Sequence, residues 1–229
     1  MTDMTEPRRE TEEPSPPFRA VIFDLGGVVL GSPLHAIASF ERELGIPAGF
    51  VNRVVVDTGA SGAWARHERG ELAREHFMRE FSGECQSAGH ALSVPDLFDR
   101  MAEVSHPRPR MLEAIRRIRA RGLLTAALTN NFPSDAEDSG GRALRACFDD
   151  FFESSVLGLH KPDPRIYQHA CRALDVAALL LRVVSTPAAA GDHLGPGKRA
   201  LSAVLLRQVG FSTAMTAWKC GGDATFTCP

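Results

Sequence analysis

The chain has 229 residues, 44% of them hydrophobic, which suits one large domain or a core domain with a smaller insertion, and suffices to bury a real core. With 26 basic against 28 acidic residues the net charge is −2, so the composition gives no reason to expect nucleic acid or an anionic membrane as partner. The five cysteines, Cys85, Cys147, Cys171, Cys220 and Cys228, are odd in number and never spaced C-x-x-C, which argues against a zinc site and for a reducing compartment.

Residues 1–17, MTDMTEPRRETEEPSPP, mix acids with prolines and read as a disordered tail, without a signal core or an Arg-rich transit pattern. No apolar run reaches the roughly 18 residues of a membrane span, so a cytoplasmic protein is expected. The first element follows in VIFDLGGVVL, residues 21–30. Residues 19–23, apolar after Arg19, and residues 28–30 carry the character of a strand buried on both faces. Asp24 stands where that strand should end, ahead of Gly26 and Gly27. A carboxylate there, with glycines that let backbone N–H groups approach an anion, suits a nucleophile, a metal ligand or a turn former, and these stay open on this stretch alone.

Residues 34–105 read as helical throughout. Ile37, Phe40 and Leu44 form a stripe that ends at Gly45 and Pro47. Leu72, Phe77, Met78 and Phe81 make a second, and Leu97, Phe98 and Met101 a third behind a Ser93 cap. His67 reads as a surface residue beside Arg66 and Glu68, and Trp64 and Phe77 as core of this helical segment. Next, PRMLEAIRRIRARG predicts an amphipathic helix stopped at Gly122, its arginines forming a solvated face. The apolar run LLTAALTNN then ends in Thr129 and Asn130. A loop PSDAEDSGG, a short helix to Cys147, a strand near FFESSVLGL and a helix in PRIYQHACRALD complete the readable part.

This order predicts an α/β fold, a three-layer parallel sheet flanked by helices, with a helical cap inserted after the first strand. In such sheets ligands gather beyond the carboxyl ends of the strands, where Asp24, Thr129 and Lys161 fall. Hydroxyl and amide donors at Thr129 and Asn130 suit the oxygens of a transferring group, and Lys161 suits the offsetting of negative charge.

FDLGGVV, LTNN and KPDPRIY together resemble the first three motifs of the haloacid dehalogenase-like hydrolases. The stretch WARHERGELAREHF is similar to the lid of the branch that contains the N-terminal phosphatase-like domain of soluble epoxide hydrolases and the N-terminal domain of large acyl-CoA dehydrogenase family proteins. The resemblance runs from Phe18 to Asp175. It implies a Rossmann-like core at 18–33 and 106–229, a cap at 34–105, and a small phosphorylated molecule as substrate. It also implies catalytic roles for Asp24, Thr129 and Lys161, with Asp24 forming an aspartyl-phosphate. Substrate contacts are implied at Asn130 and Gly27, and Mg2+ at Asp24 and the Gly26 carbonyl.

Two departures qualify that picture. Most family phosphatases carry a proton-donating aspartate two residues after the nucleophile, where this chain has Gly26; general acid–base catalysis is worth about 10²- to 10⁴-fold. The fourth motif, an acidic pair that binds the metal, is expected near Ser185, where Ser185 and Thr186 follow the apolar run LLLRVV and the nearest acid is Asp192. Hydroxyls are poor replacements for carboxylates on a hard cation, so weakened Mg2+ binding and a weak or inactive phosphatase are expected. The alternative is a non-catalytic domain that binds a phosphorylated ligand or a protein. A carbon–halogen hydrolase ranks last, since relatives of that kind usually carry a larger residue than glycine after the nucleophile. Residues 176–229 carry no family pattern beyond one possible helix at KRALSAVLLRQVG, and read as the divergent end of a truncated isoform.

Overall fold

A computed structural model describes residues 18–133 and 139–185. Its centre is a four-stranded sheet in the order β3-β2-β1-β4, with β1 at Ala20–Phe23, β2 at Leu124–Thr129, β3 at Asp150–Glu153 and β4 at Leu181–Val184. All pairings are parallel. Side chains alternate across a strand, so β1 serves two cores. Ala20 and Ile22 join Ala126, Leu128, Phe152 and the apolar side of helix α9 (Pro164–Ala173), including Ile166 and Ala170. Val21 and Phe23 join Ala127, Phe148 and Ile115 of helix α6 (Pro109–Ala120). Helix, sheet and helix make the three layers predicted from the sequence.

Between β1 and α6 lie five helices: α1 (Pro33–Glu43), α2 (Phe50–Thr58), α3 (Ala63–Glu68), α4 (Arg74–Ser87) and α5 (Val94–Val104). They enclose their own core of Phe40, Phe50, Val54, Phe77, Phe81 and Leu97 among others. Ser93 caps α5 as the sequence predicts, accepting the Asp96 N–H at 3.3 Å. The cap of α2 was not visible in the sequence, because Gly49 stands at its N-cap with no side chain. The carboxylate of Glu41, 1% exposed, serves instead from α1, accepting the N–H groups of Gly49 at 2.6 Å and Val51 at 2.9 Å.

The second half of the opening apolar run is not a strand. Residues Leu25–Val29 form a wide helical turn broken by extended backbone at Gly26 and by φ 78° at Gly27, and the Leu30 N–H closes it on the Leu25 carbonyl at 2.9 Å. Val28 and Val29 are buried because the turn folds back on the core, so their apolar character marks burial rather than strand geometry. Leu30 then pairs antiparallel with Pro107, which brings the two connections of the helical insertion side by side. Gly31 is required there: a Cβ would stand 1.8 Å from the Val104 carbonyl oxygen.

Strand β3 is shorter than the FFESSVLGL run, since Ser154–Leu157 turn into helix α8. Helix α7 spans Ser139–Arg145, ahead of Cys147. The arginine face of α6 is mostly solvated, with Arg116 and Arg117 held on Glu113, but Arg119 pairs with Asp149 at 2.7 Å and ties α6 to the start of β3. Cys85, Cys147 and Cys171 are free thiols, and burial pushes that of Cys85 up to about 12. No helix among the described residues is long and apolar enough to cross a membrane. The expectations for residues 1–17, Thr186, Asp192 and the KRALSAVLLRQVG helix lie outside the described residues.

Candidate active site

Parallel pairing brings the polar ends of the strands together. Phe23 is in register with Ala127 on one side and Val184 on the other, and the Asp24 N–H donates to the Val184 carbonyl at 2.9 Å. Asp24 therefore stands beside Leu128 and Ser185 at one edge of the sheet, with Thr129 one step further along β2. Lys161 arrives from the loop before α9, and its Nζ lies 2.7 Å from Asp24 Oδ1 and donates to the Leu128 carbonyl at 3.0 Å. Asp24, Thr129 and Lys161, predicted from three separate stretches, meet at one place.

The two oxygens of Asp24 are not equivalent. Oδ1 takes the Lys161 ammonium and also the Leu25 N–H at 2.8 Å. Oδ2 receives no hydrogen bond from the described residues. The carboxylate is thus held through one oxygen in a fixed orientation. Its side chain is 26% exposed and that of Lys161 19%, so the pair is shielded but reachable. Burial, with a smaller contribution from the negative charge of Asp24, pushes the Tyr167 hydroxyl of α9 up to about 12, so this phenol is neutral and within the field of Asp24.

The other predicted contacts are arranged differently from expectation. The Asn130 side-chain amide is fully occupied: Oδ1 accepts the Lys161 N–H at 2.7 Å, and Nδ2 donates to the Lys161 carbonyl at 3.0 Å and to Glu68 Oε2 at 3.1 Å. It braces the lysine loop and has no donor left for substrate. The Gly27 N–H is spent within the turn, on the Gly31 carbonyl at 3.1 Å. Thr129, 6% exposed, donates its hydroxyl to the Asn130 carbonyl at 3.1 Å, a local bond that a better acceptor can replace.

The helical insertion closes over this edge through residues that sequence patterning undervalued. His67 is 1% exposed, not a surface residue; its ring stacks on Phe77 at 4.4 Å and on Phe132 of the loop after β2 at 5.1 Å, two rings that are themselves 6.1 Å apart, and Nδ1 is 2.6 Å from the Leu72 carbonyl. Burial holds its basicity below the ordinary imidazole range. Trp64 packs in the core of the insertion as predicted, and also meets Phe132 edge-on at 5.2 Å. Glu68 accepts from Trp64 Nε1 at 3.0 Å and from Asn130, lies 3.3 Å from His160 Nδ1, and offers its backbone carbonyl to the Ser154 hydroxyl at 2.6 Å. Apart from Trp64, four residues before it, the partners of Glu68 lie 62, 86 and 92 residues away in the chain, so a spacing rule cannot find the contacts that tie it to the sheet side.

Among the described residues no group of three or more His, Cys, Asp or Glu side chains could hold a metal ion. The donors at the strand ends are the Asp24 carboxylate, the Gly26 carbonyl and, at the end of β4, exposed Ser185. That set fits Mg2+ only where water and a substrate phosphate complete the shell, since this ion commonly takes one or two carboxylates from the protein.

The profile of the haloacid dehalogenase-like hydrolases matches residues 18–183. The chain is 38% identical over 162 residues, 69% of its length, to acyl-CoA dehydrogenase family member 10 of Mus musculus, and 35% identical over 165 residues, 66% of its length, to bifunctional epoxide hydrolase 2 of Sus scrofa. The matches cover only 15% and 30% of those longer proteins. In fold it is similar to an enzyme of Bacteroides thetaiotaomicron solved with magnesium and inorganic phosphate, at a TM-score of 0.56 and 14% identity, over 90% of this chain and 96% of that one. The protein belongs to the haloacid dehalogenase-like hydrolases.

Proposed function

We propose that this hydrolase is a slow phosphatase for small phosphomonoesters, acting through a phosphorylated Asp24. The observation that carries the reading is the division of labour on Asp24, with Oδ1 held by Lys161 and the Leu25 N–H and Oδ2 receiving no hydrogen bond from the described residues. Oδ2 attacks phosphorus, the bond from phosphorus to the ester oxygen breaks, and the leaving alkoxide takes its proton from solvent because Gly26 offers none. Water then attacks the same phosphorus, releasing inorganic phosphate and returning Asp24 to a carboxylate. Lys161 compensates charge on nucleophile and phosphoryl oxygens, and the Thr129 hydroxyl turns from the Asn130 carbonyl to a phosphoryl oxygen. Asp24 and the Gly26 carbonyl would hold Mg2+, which when bound supplies charge stabilisation to the phosphoryl oxygens. The helices of residues 33–104 act as the cap. The Bacteroides enzyme solved with magnesium and phosphate supports this class of ligand.

The test is metal-dependent release of p-nitrophenol from p-nitrophenyl phosphate by the full chain, lost in Asp24→Asn. A second reading, a module that binds phosphate esters without turnover, draws on the sequence, where Ser185 and Thr186 stand in place of the acidic pair that the family resemblance leads one to expect. Phosphate binding by titration calorimetry without any release of nitrophenol would select it.

A further inference from the structure

We propose that Glu68, carried by the helical insertion, is a positioning residue for Lys161 and so couples the seating of the insertion to the setting of the nucleophile's cation. Asn130 is the intermediary. Its amide grips both backbone polar groups of Lys161, the N–H at 2.7 Å and the carbonyl at 3.0 Å, as one strand grips another. The arrangement fixes the amide orientation, because only oxygen can face the Lys161 N–H. One N–H of Nδ2 serves the Lys161 carbonyl, and the other goes to Glu68 at 3.1 Å.

Glu68 is itself held from both sides of the seam. Trp64 Nε1 donates to Oε1 from within the insertion, while Asn130 and His160 meet Oε2 from the sheet side. The Ser154 hydroxyl fastens its backbone carbonyl, and the next turn is pressed so close that a Cβ on Gly70 would stand 2.4 Å from the Ser155 carbonyl oxygen. The seam has little slack. With its side chain 15% exposed, Glu68 makes hydrogen bonds that water replaces poorly, and bonds to a charged acceptor are the stronger kind. Without Glu68, Asn130 keeps its hold on the Lys161 backbone but loses the anchor that fixes its own direction, and the Nζ contact with Asp24 loosens.

The role given to Lys161 rests on the phosphatase reading, so the experiment reads the lysine itself rather than turnover. Full-length wild type, Glu68→Ala, Glu68→Leu and Glu68→Gln are acetylated briefly with acetic anhydride, and modification of Lys161 is followed by peptide mass spectrometry. The expected result is labelling about tenfold faster in Glu68→Ala and Glu68→Leu, with Glu68→Gln, which keeps an acceptor for Asn130, close to wild type. Glu68→Leu fills the same space without acceptors, so failure of the alanine variant to fold leaves the comparison intact. Unchanged Lys161 labelling in a folded variant would overturn the proposal. So would a rise accompanied by equally faster amide exchange throughout β1 and β2, the mark of general loosening. Wild type that hydrolyses no phosphate ester while this pattern holds overturns the phosphatase reading and leaves the positioning role standing.

Discussion

Gly26 stands where the family resemblance places a proton donor, and its backbone allows one to be put back. Its φ of −61° and ψ of 118° lie in the region open to any L residue. A Cβ there would meet only Pro33, at 3.5 Å from Cδ and 3.7 Å from Cγ, which is ordinary contact. The expected structural cost of Gly26→Asp is therefore small, and the lower freedom of the unfolded chain returns roughly 0.4–1 kcal/mol. Gly27 is the control: at φ 78° a side chain is strained by about 1–2 kcal/mol, so Gly27→Asp should lower the melting temperature where Gly26→Asp does not. If departure of an unprotonated alkoxide limits the rate, an acid at 26 should raise kcat about 10²- to 10⁴-fold, or roughly 2.7–5.4 kcal/mol of barrier, on alkyl phosphates. With p-nitrophenyl phosphate, whose leaving group needs no proton, the gain should be slight. The assay is phosphate release across esters of graded leaving-group basicity, in wild type and variant. A folded Gly26→Asp variant that speeds all esters alike, or none, would falsify the account of what Gly26 lacks.

Lys161→Ala leaves Asp24 Oδ1 with the Leu25 N–H alone, and kcat should fall about 10²- to 10³-fold, read with the same nitrophenol assay. Ser185→Asp puts a second carboxylate at the end of β4, beside Asp24 in register; titration calorimetry with Mg2+ and phosphate should show at least tenfold tighter metal binding. Phe77→Ala empties a fully buried site stacked on His67 and Phe81, and should cost about 3–5 kcal/mol in urea unfolding while loosening the seam at Phe132. The depressed basicity of buried His67 means that the unfolded chain binds a proton more readily than the folded one once pH falls below about 6.5. Stability should therefore decline with acidification from that point, and His67→Phe should flatten this part of a melting-temperature profile.

The order of elements was legible because each repeats its burial at a fixed period: the stripe in PRMLEAIRRIRA, the apolar AVIF and LTAALT, and the Ser93 cap all carry their geometry within a dozen residues. The site was legible for a related reason. Parallel strands end on one side, so polar residues that close successive apolar runs converge, as Asp24, Thr129 and Lys161 do. Residues 28–30 misled because burial and strand geometry give the same apolar signal.

What the sequence by itself determined is the fold class and the convergence of Asp24 and Lys161 beyond the strand ends on one side of the sheet. Tertiary structure alone decided how polar groups are shared out: that the Asn130 amide braces the lysine loop, that Glu41 caps a helix with no cap of its own, and that His67 is buried against two phenylalanine rings. Periodicity tells which side of a segment is covered but not by what. A hydrogen bond between residues 62 or 86 positions apart, as from Glu68 to Asn130 and to Ser154, leaves no local trace, because its partners are chosen by the packing of whole elements.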